Sequence, residues 1–256
     1  MYPQRIICLT EESVETLFLL GQEHRIVGVS SYAVRPPEVK DIPKVSLFTS
    51  SQYDKIDELQ PDLILGFSDI QKDIASDLIG RGYNVFISNH RSLAEIFNYI
   101  FVLSGMIGCQ KEGEQLVTDL KQTLSKFKKT CPNPPRVYFE EWDEPMISGI
   151  EWVSDLIEWC GGTDVFRDRS KGKLAKERFV KPSEVVERDP SIIFGCWCGK
   201  KVKIDKIKNR EGWGQISAVK NSRVFELDPS VFLQPGPAAI KDGARILSEF
   251  LELSDD

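Results

Sequence analysis

The chain has 256 residues, 41% hydrophobic and 28% charged, with a net charge of −6 and a pI near 5.2. Such proportions describe an ordinary globular protein, long enough for one large domain or two smaller ones with real cores. The acidic balance leaves no basic stripe to neutralise phosphates, which argues against a nucleic-acid partner, and no apolar run approaches the ~18–20 residues of a membrane span.

The start, Met1-Tyr2-Pro3-Gln4-Arg5, leads straight into an apolar strand without the charged region, apolar stretch and cleavage site of a secretory leader. The expected compartment is the cytoplasm, or the periplasm if a leader has been removed. Six cysteines, Cys8, Cys109, Cys131, Cys160, Cys196 and Cys198, stand mostly singly in apolar contexts, as buried free thiols do in a reducing compartment.

In chain order, residues 5–9 read as a buried strand, followed by a helix over 11–20 behind Thr10 and closed by Gly21. A second strand follows over 25–29, with Ser30, Ser31 and Tyr32 at its carboxyl end. Strand, helix, strand at this spacing implies a right-handed parallel crossover. Pro36, Pro37 and Pro43 predict a stiff loop. A helix over 53–59, a strand over 62–66, a helix over 70–79, a strand over 84–87 and a helix from Ser92 to Ser104 complete a first α/β lobe over 1–105.

Residues 106–134 then carry Leu116, Val117, Leu120, Leu124 and Phe127 at helical spacing and stop at Pro132, Pro134 and Pro135. They predict one connecting helix, a rod of roughly 30 Å for about 20 residues. Strand and helix alternate again over 135–256: strands over 136–139, 190–194 and 223–227, and helices over 152–160, 182–188 and 238–253. Leu59-Gln60-Pro61-Asp62-Leu63-Ile64-Leu65 and Arg188-Asp189-Pro190-Ser191-Ile192-Ile193-Phe194 repeat one pattern in the two halves, which suggests matched lobes rather than one large sheet. The expectation is α/β, two Rossmann-like lobes with parallel sheets joined by one long helix, and a ligand cleft between them.

In open parallel sheets ligands bind beyond the carboxyl ends of the strands. Those ends are followed here by Thr10, Tyr32, Phe48, Phe67, Asn89, His90, Glu141, Trp142, Trp197, Phe232, Leu233 and Gln234. Aromatic and amide groups dominate, a set that suits a large, mostly apolar ligand with a few polar edges; each ring could equally be core. Glu140, Glu141, Asp143 and Glu144 could perform acid–base work, hold a hard cation, or simply face solvent. Cys196-Trp197-Cys198 has neither zinc-ribbon nor thioredoxin spacing. His90, Cys196 and Cys198 are candidates for touching a ligand-borne metal, with ordinary packing as the alternative. Nucleophile-elbow, Walker and dinucleotide fingerprints are missing.

Ordered motifs carry a resemblance. Residues 5–15, 27–32, 36–38 and 59–64, then 137–145, 160–166, 182–186 and 234–237, resemble the cobalamin-binding solute-binding proteins of ABC importers, of the vitamin B12 and siderophore type. Coverage is nearly the whole chain. The resemblance implies the class III periplasmic-binding-protein fold and non-catalytic binding of a corrinoid ligand, by a solute-binding protein or an intracellular carrier, with no cofactor required. Relatives of this type carry iron-siderophores or haem, and these remain alternatives, as does a corrinoid-modifying or hydrolytic enzyme.

Matched position by position, the ligand-holding aromatics fall at Tyr32, Phe48, Phe67 and Trp142. Glu141, Trp197, Phe232 and Gln234 complete the expected contacts. Val231 stands where the family has a tryptophan. Acidic residues that dock on a permease fall at Asp54 and Glu184. The segment Gly195-Cys196-Trp197-Cys198-Gly199-Lys200-Lys201 departs from the family. A monomer, with an ABC permease as potential partner and only a small hinge motion about the rod, completes the expectation.

Overall fold

A computed structural model describes residues 2–252. The chain divides into two compact units. One gathers the residues up to His90, with Ala94–Lys121 and Gln234–Ala238; the other holds Arg91–Leu93, Gln122–Leu233 and the chain from Ala239 on.

The first unit contains strands β1 (Ile6–Cys8), β2 (Ile26–Ser30), β3 (Lys44–Ser46), β4 (Leu63–Phe67) and β5 (Val85–Ser88), in the order β3-β2-β1-β4-β5. All four pairings are parallel. Helices α1 (Glu11–Leu19), α2 (Tyr53–Leu59) and α3 (Lys72–Gly80) make the crossovers. The near-continuous apolar strands are what a sheet covered on both faces requires; Ile7, Leu9, Val45, Ile56, Ile64, Ile74 and Leu78 form one cluster. Chain order runs outward from β1 through β2 to β3, then resumes at β4. The reversal therefore lies between β1 and β4, where crossover loops diverge and leave a crevice at the carboxyl edge.

The second unit's sheet runs β10-β9-β6-β7, with β6 Arg136–Asp143, β7 Met146–Ser148, β9 Ile192–Gly195 and β10 Val224–Glu226; β8 (Thr163–Asp164) pairs with the start of β6. β6 is parallel to β9 and antiparallel to β7, with a register shift between Glu140 and Trp142. This sheet is therefore not purely parallel. The antiparallel strand went unpredicted because three residues are too few for a period to register, as with β3.

The expected helix over 106–134 is shorter and follows another helix. α4 spans Leu93–Ile107 and α5 Gln110–Ser125; Gly108, at φ +77°, makes the left-handed turn between them. Pro132 does not set the end of α5. Lys126, Phe127 and Lys128 donate three residues back, tightening the last turn, and Trp159 Nε1 takes the Leu124 carbonyl at 2.8 Å. Helix α6 spans Glu151–Trp159. The last helix opens as a π turn (Ala239–Gly243) and continues as Ala244–Glu252; its expected end, Leu253, lies outside the described residues. Among the described residues, no helix is long and apolar enough to cross a membrane.

Candidate functional site

In the first unit the carboxyl edge is held by one buried amide that the sequence reading missed. Gln71 accepts from Phe67 N (2.9 Å) and donates to Leu9 O and Phe48 O, both at 3.2 Å. One side chain thus ties the ends of β1 and β4 to the loop after β3. Phe48 is half-buried on that loop. Tyr32 is exposed on the loop after β2, and the residues that follow it are held by Glu11 Oε1, which accepts from Val34 N (2.9 Å) and Arg35 N (3.0 Å).

Glu11, Glu12 and Glu15 in the first turns of α1 are all buried. Burial raises Glu11 and Glu12 to about 7, against hydrogen bonds that pull the other way. Thr10 Oγ1 donates to Glu12 Oε1 at 2.5 Å, while Glu12 Oε2 has no hydrogen-bond donor among the described residues. The segment Gln234–Ala238 lies on this edge. Ala238 N donates to Glu15 Oε2 (2.8 Å) and His90 Nε2 meets Pro235 O (2.8 Å). A Cβ on Gly236 would fall 2.7 Å from Glu12 Cβ. Gln234 itself is half-buried.

His90 does not stand ready for a ligand metal. Nδ1 contacts Ser88 Oγ at 2.7 Å, Nε2 is engaged as above, and the ring stacks on Tyr99 at 4.3 Å. Phe67 is buried with its ring 5.2 Å from that of His90. Both residues pack.

In the second unit each member of the acidic run has a cation. Glu140 is fully buried and takes Arg210 through two bonds, 2.5 and 2.9 Å, together with Tyr138 Oη (3.1 Å) and Trp197 Nε1 (3.2 Å). Glu141 takes the buried Arg178 at 2.5 and 3.0 Å. Asp143 accepts from Lys200 and Lys206, and Lys206 also reaches Glu144 at 2.8 Å. Burial works against the Asp143 anion, but the two ammonium groups hold its pKa below the usual value. Glu140 and Glu141 are committed to guanidinium groups, and the solvated-loop alternative holds for Glu144, in the turn after β6, but not for Glu140 and Asp143.

Trp142 is half-buried. Its Nε1 donates to Glu144 O at 2.9 Å, and Lys200 Nζ stands 3.9 Å over its ring and 4.9 Å from that of Trp197. Trp197 and Phe232 lie in the interior, 1% and 0% exposed, as parallel strands with helices on their faces demand. Their role is packing, and Trp152 Nε1 holds the Phe232 carbonyl at 2.8 Å. Cys196 is buried, and that burial pushes its thiol well up; Cys198 is exposed. Among the described residues, no three His, Cys, Asp or Glu side chains gather as a metal site. Asp54 is exposed in the first turn of α2. Glu184 is ion-paired with Arg169 and caps its own helix through Lys181 N (2.8 Å).

Among the residues that keep accessible surface are Tyr32, Phe48 and Gln234 at the edge of the first unit, and Trp142 and Lys200 at the edge of the second. The first edge can offer ring faces and an amide, and the second a ring face and an ammonium.

Comparison with known proteins places the chain in a family. Residues 6–231 match the family model described as "Periplasmic binding protein". An ABC transporter substrate-binding lipoprotein of Bacillus subtilis is 26% identical, over 96% of this chain and 79% of its own length. A vitamin B12-binding protein of Vibrio cholerae is 25% identical, over 98% of this chain and 90% of its own. A solved periplasmic heme-binding protein from Roseiflexus sp. RS-1 superposes with a TM-score of 0.81 at 21% identity, over 97% of this chain and 99% of that one, which speaks for the fold.

Proposed function

Since the chain belongs to the periplasmic binding protein family, we propose that it is a solute-binding protein for a large metal chelate of the corrinoid class. The observation that carries this is the pairing of family membership over residues 6–231 with accessible aromatics at the sheet edges, Tyr32 and Phe48 in the first unit and Trp142 in the second. Curated relatives named vitamin B12-binding proteins, at 25% identity, support the corrinoid choice. In the first unit Tyr32 and Phe48 would take an apolar face of the macrocycle, and Gln234 with nearby backbone amides a polar edge.

Delivery to an ABC importer is the matching role, with Asp54 and Glu184 the docking carboxylates. A permease arginine would have to compete with Arg169 for Glu184. The cytoplasmic placement expected from the start of the sequence finds no support in these relatives, one of which is named a lipoprotein.

Titration of cyanocobalamin, haemin and a ferric siderophore against the tryptophan fluorescence tests the reading. Saturable one-to-one quenching strongest with the corrinoid is expected. Preference for haemin or the siderophore would reassign the ligand, and quenching by none would reject the function. The enzyme alternative is checked by incubating the protein with hydroxocobalamin, whose axial-ligand spectrum should stay constant after the initial binding step.

A further inference from the structure

The second unit concentrates positive charge in one place. Lys200, Lys201, Lys203 and Lys206 fall within seven residues of a chain whose net charge is −6, and all four are exposed. They follow β9, and two of them close on the end of β6. Lys200 is fixed there: Asp143, only 3% exposed at its side chain, holds its ammonium over the Trp142 ring, while the Lys200 side chain keeps 39% exposure. Asp143 serves both Lys200 and Lys206, and Lys206 has Glu144 as a second carboxylate. Glu144 faces Lys206, not Lys200. An ammonium has three donors. One goes to Asp143, and the rings of Trp142 and Trp197 accept charge but no conventional hydrogen bond. Donor capacity on a part-exposed ammonium therefore remains at the rim of an aromatic platform.

We propose that Lys200 is the charge-selecting residue of the site and takes an anionic oxygen group on the rim of a flat ligand that lies against Trp142. This rests on the chelate-binding function above and narrows it: the preferred ligand carries at least one carboxylate or phosphodiester, and a fully neutral macrocycle is disfavoured. Asp143 and the two rings orient the ammonium in advance, so the lysine gives up little further side-chain freedom on binding.

Three probes separate the sources of the anion. Dicyanocobinamide has a corrin ring with neutral amides and no phosphodiester, cyanocobalamin adds the phosphodiester, and haemin carries carboxylates. Each is titrated by fluorescence quenching into the parent protein, Lys200→Gln and Lys200→Arg, at low and high salt. Circular dichroism and melting temperature verify that the exposed substitutions leave the fold intact. The parent should bind at least one anionic probe more tightly than cobinamide, with an affinity that falls as salt rises. Lys200→Gln should lose 5- to 30-fold for that probe and most of its salt dependence, stay within twofold for cobinamide, and recover in Lys200→Arg. A loss confined to haemin assigns a carboxylate, and a loss confined to cyanocobalamin assigns the phosphodiester. Equal changes for all probes, or none, overturn the role of Lys200 while chelate binding stands. Failure of the parent to bind any probe overturns both.

Discussion

Arg210 grips Glu140 with both terminal guanidinium nitrogens, at 2.5 and 2.9 Å, although Glu140 has no exposed surface. A buried charge pair of this kind is poor evidence of net stabilisation, yet removing one partner strands the other. Arg210→Met should therefore lower unfolding free energy by on the order of 3–5 kcal/mol. Arg210→Met combined with Glu140→Leu should recover a large part of it. Urea denaturation of the two singles and the double measures the coupling; additive losses would show that the ionic pairing is not what matters.

The first turn of α1 predicts a pH dependence of the opposite sense to ordinary acid denaturation. Burial lifts Glu12 from 4.5 to about 7. Below pH 4.5 the carboxyl is protonated in folded and unfolded chain alike. Between 4.5 and about 7 the folded protein holds a proton that the unfolded chain releases, so this group's contribution declines as pH rises and is lost above 7. Glu12→Gln, which cannot ionise, should stabilise the protein near pH 8 by on the order of 2–3 kcal/mol and by almost nothing near pH 4.5. A gain independent of pH would contradict the assignment.

Two tryptophans at neighbouring strand ends should behave differently. Trp142→Ala is expected to lower affinity for the bound chelate by about 1–3 kcal/mol with a modest change in melting temperature, since the ring is only half-buried. Trp197→Ala removes a core side chain that also hydrogen-bonds Glu140 and should cost about 3–5 kcal/mol of stability. Parallel titration and thermal melts distinguish them. Unchanged binding in the Trp142 variant would take that ring out of the site.

Gly236 has no room for a methyl group, because its Cβ would meet Glu12 Cβ at 2.7 Å and Glu12 Cα at 3.1 Å. Gly236→Ala should push the segment off α1, at a cost of about 1–3 kcal/mol, and weaken the His90–Pro235 and Ala238–Glu15 contacts. Faster exchange of the Ala238 amide proton in the variant is the corresponding observation; unchanged protection there would show that the contact relaxes without displacing the segment.

The sequence by itself determined the alternation of strand and helix, the family and the positions of most strand ends. Each of these is written locally, in apolar runs, proline and glycine stops, and ordered short motifs. Apolar content could not tell Trp142, which keeps accessible surface, from Trp197 and Phe232, which keep none, because burial depends on what packs on top of a residue. The acidic run 140–144 looked solvated or catalytic until the fold brought Arg178, Lys200, Lys206 and Arg210 to it from 37 to 70 residues away. Gln71, an unremarked polar residue in the chain, became the tie between β1, β4 and Phe48. Long-range pairing of charges and amides is decided in three dimensions, since only the folded chain fixes which donor meets which acceptor away from water.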